Sequence, residues 1–184
     1  MKTHDIIEKL NYQIEAFKKI RTVNETTLNE NRFFNLSEIV SHYGRVFNNH
    51  IDLPEDFVLG EPGNCFGNAF RTMIRLWDLH NEPEWCYVEG FASTRLIDLL
   101  IPHAWLSNRN GDVLELTWIH KPGDITYYGI PFDFNYVMRA TTKSGYYGVL
   151  TPGELYNDEL FSKKVGPETF LHHWFKEEIL SRYK

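Results

Sequence analysis

The segment from Gly63 to Leu79, GNCFGNAFRTMIRLWDL, constrains the fold most strongly because its apolar residues follow a helical period. Pro62 and Gly63 are typical of a turn before the segment, and Asn64 is the predicted N-cap. Steps of three and four residues separate the apolar positions, as one face of an α-helix requires. These positions are Phe66, Ala69, Phe70, Met73, Ile74 and Trp77. The pattern therefore predicts an amphipathic helix that begins with Cys65.

Beyond Pro83 the apolar residues change to a period of two, which is typical of strands. Val, Ile, Tyr, Trp and Thr are frequent in four segments, and Gly, Pro and Asn separate these segments. The pattern predicts an antiparallel sheet with strands within 84–93, 101–108, 112–118 and 135–142.

Helices are predicted at both ends of the chain. In the first twenty residues, apolar side chains repeat at helical spacing at Ile6, Leu10, Ile14 and Phe17. Asn35 and Glu38 resemble a capping box at the start of a second helix, whose apolar face reaches Phe47. Pro167 fits the first turn of a helix that closes the chain. A loop over 51–64 connects the second helix to the Cys65 helix.

A chain of 184 residues can bury one substantial core and needs no second domain. We therefore predict a single α+β domain over 1–184. Its parts are a helical N-terminal extension (1–50), a core made of the Cys65 helix and the antiparallel sheet (58–142), and a C-terminal helix (167–184).

Charge and composition narrow the class of partner. The formal net charge is -6, which gives no general attraction to nucleic acid or to anionic membranes. Charged residues within the first ten positions argue against a signal peptide, and no apolar run approaches membrane-spanning length. We expect a cytoplasmic protein whose two cysteines, Cys65 and Cys86, stay reduced.

Three residue types in this pattern point to acyl-transfer chemistry. Asn110 and Gly111 predict a hairpin turn, and an odd loop length places His103 and Glu115 on one face of neighbouring strands. Glu115 would orient His103, and His103 would serve Cys65, whose thiolate a helix N-terminus favours. Structural readings compete with these roles: a buried helix-start thiol, a histidine bonded to a backbone carbonyl, and a solvated carboxylate.

The order Cys65, His103, Glu115 resembles the papain-like fold of transglutaminase-like cysteine enzymes. The shared motifs are HAW at His103 to Trp105 and ELTW at Glu115 to Trp118, with Glu where Asp is usual and Leu where Pro often follows. YVEGFA and YYGIPF are similar to motifs of small phage and bacterial proteins of this kind. The resemblance covers Gly63 to Asp133, and it implies a catalytic triad and a phage origin.

Four further residues are candidates for the site. Asn64 and Asn68 could donate hydrogen bonds to an oxyanion beside the Cys65 backbone N–H, although Asn64 serves equally as a cap. Trp105 and Tyr128 are candidates for the wall of an aromatic cleft, and core packing explains them as well. Cys86 is predicted to lie in the core, and the histidine spacings predict no metal site.

The sequence thus predicts a cysteine-dependent hydrolase or acyltransferase without a cofactor. Its substrate would be an amide of a small molecule, peptide or protein, and either water or an amine could accept the acyl group. The alternative is a papain-like binding protein that holds a small molecule or a partner segment without turnover. The sequence leaves the oligomeric state open.

Overall fold

The fold was obtained as a computed structural model, which describes residues 3–23, 31–33, 35–47, 49–55, 57–80, 84–94, 99–118, 125–150 and 159–183. Within these ranges the chain is a mixed α+β structure, as predicted. Its α-helices are α1 (Thr3–Val23), α2 (Leu36–Tyr43), α3 (Cys65–His80), α4 (Phe134–Ser144) and α5 (His173–Leu180). Its strands are β1 (Arg45–Phe47), β2 (Asn49–His50), β3 (Cys86–Thr94), β4 (Ile101–Ser107), β5 (Asp112–Leu114) and β6 (Ile125–Phe132).

The six strands form one nearly closed sheet in the order β1-β6-β3-β4-β5-β2. β3 is central and pairs antiparallel with both β4 and β6. β1 and β2 follow each other closely in the chain, yet they lie at opposite ends of this order. The rings of Phe47 in β1 and Trp105 in β4 contact each other, with centroids 5.6 Å apart. Because β6 and β3 lie between these two strands, the contact requires a sheet that curves around an inner face.

Helix α3 is the element that the sequence predicts best. It begins at Cys65, as expected, and packs mainly on β4. Ala69 and Met73 on its apolar face are fully buried. Backbone hydrogen bonding within the helix begins where the N–H of Asn68 donates to the carbonyl of Asn64, at 2.8 Å. The Cys65 side chain is therefore held at the first turn of a sixteen-residue helix.

The predicted strand over 135–142 is wrong, because this segment lies in helix α4. Asp133 caps the helix by accepting a hydrogen bond from the N–H of Tyr136 at 3.1 Å. Gly145 ends it in the left-handed conformation, with φ of 74°. The buried side chains of α4, Tyr136, Val137 and Thr141, lie on one helical face. Tertiary packing and good caps thus override the β-branched composition.

The N-terminal part of the chain is more than a helical extension. The Asn35 cap is confirmed, since the Asn35 side chain accepts a hydrogen bond from the N–H of Glu38 at 2.9 Å. The second helix nevertheless ends at Tyr43, and Phe47 lies in strand β1, contrary to the predicted helical face. A side chain at Gly44 would collide with the carbonyl of Val40, at 2.3 Å. Beyond this glycine, β1 and β2 belong to the sheet.

Two other boundaries differ from the prediction. The C-terminal segment from Pro167 starts as a 3₁₀ turn over Pro167–Thr169, and its α-helix begins only at His173. Between these elements Leu171 forms a bridge with Phe132 of β6, which interrupts the helix. Strand β5 ends at Leu114, so Glu115 lies just beyond it.

Among the described helices, none combines the length and apolar character that crossing a membrane would need.

Candidate functional site

The candidate site lies where the first turn of α3 meets the start of β4. The Cys65 side chain lies next to the imidazole of His103, close enough to help raise the pKa of that imidazole. Cys65 is 8% exposed, whereas His103 is 1% exposed. Both residues are therefore buried, and Cys65 keeps slightly more exposed area than His103.

Glu115 lies on the other side of the imidazole. Its Oε2 is 2.8 Å from His103 Nε2, and both side chains are buried. The register pairs Ser107 with Val113, so the loop between these residues has five residues, 108–112. This odd number puts His103 and Glu115 on one face of the sheet in a diagonal relation, as expected from the hairpin. Since Glu115 occupies Nε2, the ring nitrogen available to a second partner is Nδ1.

The Glu115 carboxylate accepts hydrogen bonds at both oxygens. The backbone N–H groups of Thr117 and Trp118 donate to Oε1 at 2.8 and 3.2 Å. The Tyr127 hydroxyl donates to Oε2 at 2.9 Å, on the same oxygen that faces His103. A buried carboxylate is stable as an anion only when such donors replace water. Glu115 is therefore held as a charged and fixed partner of His103.

The pKa values of the pair move in the directions that an ion pair requires. Burial lowers the pKa of His103, but hydrogen bonds with Cys65 and Glu115 and the charges of both outweigh burial and raise it to about 9. Burial raises the pKa of Glu115, but the hydrogen bond and charge of His103, with the Thr117 and Tyr127 donors, lower it overall. His103 is thus protonated at neutral pH beside a charged Glu115.

Aromatic rings surround the imidazole. The Trp118 ring stacks on His103, with centroids 4.0 Å apart and an interplanar angle of 16°. Trp105 and Tyr127 lie further away on the inner face, at centroid distances of 6.3 and 6.1 Å from His103. These rings restrict rotation of the imidazole and lower the local dielectric constant, which strengthens the charge interactions of the site.

The two asparagines do not act as predicted. Asn68 is buried, and its amide nitrogen donates to the carbonyl of Glu61 at 2.9 Å and to the Thr117 hydroxyl at 3.0 Å. Both amide hydrogens are thereby used, so Asn68 anchors the 60–61 loop to the Glu115 segment rather than binding an oxyanion. The Asn64 carbonyl accepts the first helical hydrogen bond, while its amide donates to Glu61 Oε2 at 3.0 Å.

The predicted cleft residues Trp105 and Tyr128 are both placed in packed surroundings. Trp105 is fully buried between Phe47 and Tyr127. Tyr128 alternates with Tyr127 along β6 and faces the other side of the sheet, where its hydroxyl donates to the carbonyl of Ser41 at 3.4 Å. Core packing therefore accounts for both rings, and the neighbouring Tyr127 is the residue that reaches the site.

Sequence reasoning missed Trp118 as a member of the site, and it considered Tyr127 only for the wall of the cleft, without its hydrogen bond to Glu115. The ELTW motif contained a signal for Trp118, since it places an aromatic ring three residues after Glu115. Tyr127 gave no such signal, because β6 is separated from β5 by two strands and the contact crosses the inner face.

Cys86 and His172 lie outside this site. Cys86 is buried in the core, as predicted, and burial raises the pKa of its thiol. Burial and the neighbouring His173 lower the pKa of His172 to about 3. Within the described ranges, His, Cys, Asp and Glu side chains form no group of three that could hold a metal ion.

Comparison of the chain with protein families, with characterised proteins and with solved structures finds no match. The candidate site therefore has to be judged from its own geometry.

Proposed function

We propose that this protein is a cysteine-dependent acyl-transfer enzyme in which Cys65 is the nucleophile, His103 the proton carrier and Glu115 the residue that orients His103. The observation that carries the proposal is the position of the His103 imidazole, which hydrogen-bonds the Glu115 carboxylate and has the Cys65 side chain as a second neighbour that raises its pKa. This is the nucleophile, base and orienting group of covalent acyl transfer.

The chemistry follows from these positions. The Cys65 thiolate attacks the carbonyl carbon of an amide or ester, and a C–S bond forms. His103 gives its Nδ1 proton to the leaving nitrogen or oxygen as the carbon–leaving-group bond breaks, which leaves a thioester. Water then attacks the thioester and passes a proton to His103, and the acid and the Cys65 thiolate are released. An amine in place of water would give transfer instead of hydrolysis.

The first turn of α3 supplies the positive potential that this scheme needs. N–H groups at a helix start lack intrahelical acceptors, and the helix dipole favours negative charge there. The Cys65 backbone N–H is therefore the candidate donor to the oxyanion, now that the Asn68 amide is committed to Glu61 and Thr117. Both the thiolate and the oxyanion would benefit from the same helix terminus.

The test is acylation by an activated ester, p-nitrophenyl acetate, followed by release of p-nitrophenol and by mass spectrometry of the protein. We expect a burst of p-nitrophenol and an acetyl group on Cys65. The His103→Ala variant should slow this acylation by about 10²-fold or more, the scale of a lost general base. Adding methylamine separates the two outcomes: transfer would yield the methylamide, and hydrolysis would yield acetate despite the amine.

Cys86 is the internal control, because it is a buried thiol outside the site. Acetylation confined to Cys65 and dependent on His103 supports the proposal. No adduct on Cys65, or an adduct rate unchanged in His103→Ala, contradicts it and favours the binding-protein alternative.

A further inference from the structure

We propose that Tyr127 is a positioning residue that sets the charge felt by the Cys65–His103 pair, through the Glu115 oxygen that it shares with His103. This inference rests on the proposed function. Its starting observation is that the Tyr127 hydroxyl and His103 Nε2 lie 2.9 and 2.8 Å from the same atom, Glu115 Oε2.

Tyr127, Glu115 and His103 are all buried, so each hydrogen bond among them has a larger electrostatic effect than it would have in water. Tyr127 is 1% exposed and Glu115 3% exposed, so neither hydrogen bond is in exchange with bulk water. In such surroundings, a donor to a carboxylate withdraws more charge than it would in water. The Tyr127 hydroxyl stays protonated at neutral pH, because burial and the Glu115 charge raise the pKa of Tyr127 well above its usual value. The hydroxyl therefore donates its proton to the hydrogen bond with Glu115.

The position of Tyr127 requires the curved sheet. Tyr127 is in β6, paired with Ala92 of β3, whereas Glu115 follows β5 on the far side of β4. A flat sheet would hold these residues three strands apart. The hydroxyl thus links Glu115 to the opposite wall of the inner face, while Thr117 and Trp118 fix the other carboxylate oxygen from its own segment.

Removing the hydroxyl has a defined electrostatic consequence. Without it, the Glu115 charge is less compensated, and a more negative potential stabilises protons on every neighbouring group. Protonation of Glu115, His103 and Cys65 should therefore all become easier. Tyr127→Phe retains the aromatic ring and its packing against Trp105. The substitution therefore removes only the hydroxyl and its hydrogen bond.

Adjacent Tyr128 offers a matched control. It is in the same strand, is also buried and loses a hydroxyl in the same substitution, but it faces Ser41 on the other side of the sheet. We compare Tyr127→Phe with Tyr128→Phe by the rate of Cys65 alkylation with iodoacetamide from pH 5 to 10. We expect Tyr127→Phe to shift the acid limb to higher pH by about half a unit, which is roughly a threefold lower rate on that limb.

The Glu115→Gln background tests the route of the effect. If Tyr127 acts through Glu115, Tyr127→Phe should cause no further shift once the carboxylate is gone. An unchanged profile in Tyr127→Phe, an equal shift in Tyr128→Phe, or a full shift in the Glu115→Gln background would each overturn the proposal.

A second readout separates this proposal from the proposed function. NMR titration of the His103 ring reports its pKa whether or not Cys65 reacts. We expect the midpoint to rise in Tyr127→Phe and to stay unchanged in Tyr128→Phe. A failed acylation test together with a shifted His103 midpoint would refute the enzyme and leave the Tyr127 link standing. No shift would refute the Tyr127 link alone.

Discussion

Replacing His103 should change how the stability of the protein depends on pH, on the alkaline side above all. In the folded chain the pKa of His103 is raised to about 9, from 6.5 in an unfolded chain. A raised pKa contributes stability that is fully present below the unfolded value and is lost as pH rises through the folded value. The folded protein therefore binds one more proton than the unfolded chain between these two pH values, and unfolding releases it.

The size of the effect follows from the interval. Each pH unit within it corresponds to about 1.4 kcal/mol, so the free energy of unfolding should fall by about 3 kcal/mol between pH 6.5 and 9. His103→Gln should abolish this slope, although the variant is less stable overall because the partners of a buried pair are left unmatched. Urea unfolding curves at half-unit steps from pH 6 to 9.5 would measure both slopes.

His172 supplies a contrast of opposite sign. Its pKa is lowered to about 3, so its contribution is present above pH 6.5 and is lost as pH falls. His172→Gln should therefore remove a pH dependence of stability that lies below pH 6.5. In the wild type, the lowered pKa of His172 reduces the free energy of unfolding by about 2 kcal/mol between pH 6.5 and pH 5. Equal alkaline slopes in the wild type and in His103→Gln would refute the charged pair that the site requires.

Two further substitutions test how the site is held. Asn68→Ala should lower the free energy of unfolding in urea by about 2–3 kcal/mol, because Thr117 and the Glu61 backbone lose their buried hydrogen-bond partner. Acylation of Cys65 should also slow. An unchanged free energy of unfolding would contradict this anchoring role. Gly129→Ala should lower the melting temperature markedly, since its methyl group would lie 2.6 Å from the Trp105 ring and 2.8 Å from a backbone oxygen of β3; an unchanged melting temperature would show that the inner face has room.

The local parts of the fold could be predicted, because their signals lie within one segment. The period of α3 and the cap at Asn35 are short-range patterns, and Gly, Pro and Asn flank the segments of β3 and β4. Strand β6 gave a poorer signal. All eight of its residues are buried, so it shows no polar alternation, and Pro131 argues against a central strand. It tolerates the proline at its end, where the Pro131 carbonyl accepts the N–H of His172 at 2.9 Å.

The site divides in the same way. His103 and Glu115 are one hairpin apart, so the parity of the loop was enough to predict their proximity. The contacts of Cys65 and Tyr127 depend on how α3 packs on the sheet and how far the sheet curves. The hydrophobic pattern within one segment encodes neither the packing of α3 on the sheet nor the curvature of the sheet. The role of Asn68 was misjudged for a related reason: its partners, Glu61 and Thr117, lie in loops on both sides of the helix.

The energetics of the inner face favour a functional reason for the charged pair. A buried ion pair pays a desolvation cost that its attraction often fails to recover, and apolar residues of similar volume frequently stabilise a core better. Aromatic rings of Phe47, Trp105 and Tyr127 pack together on the same face. Yet here the chain commits a tyrosine and two backbone N–H groups to hold a single carboxylate against an imidazole. Buried Glu89 likewise accepts hydrogen bonds from a tyrosine and two backbone N–H groups. Glu115 differs in that it holds an imidazole next to the Cys65 thiol, and this arrangement gives the charged pair a purpose.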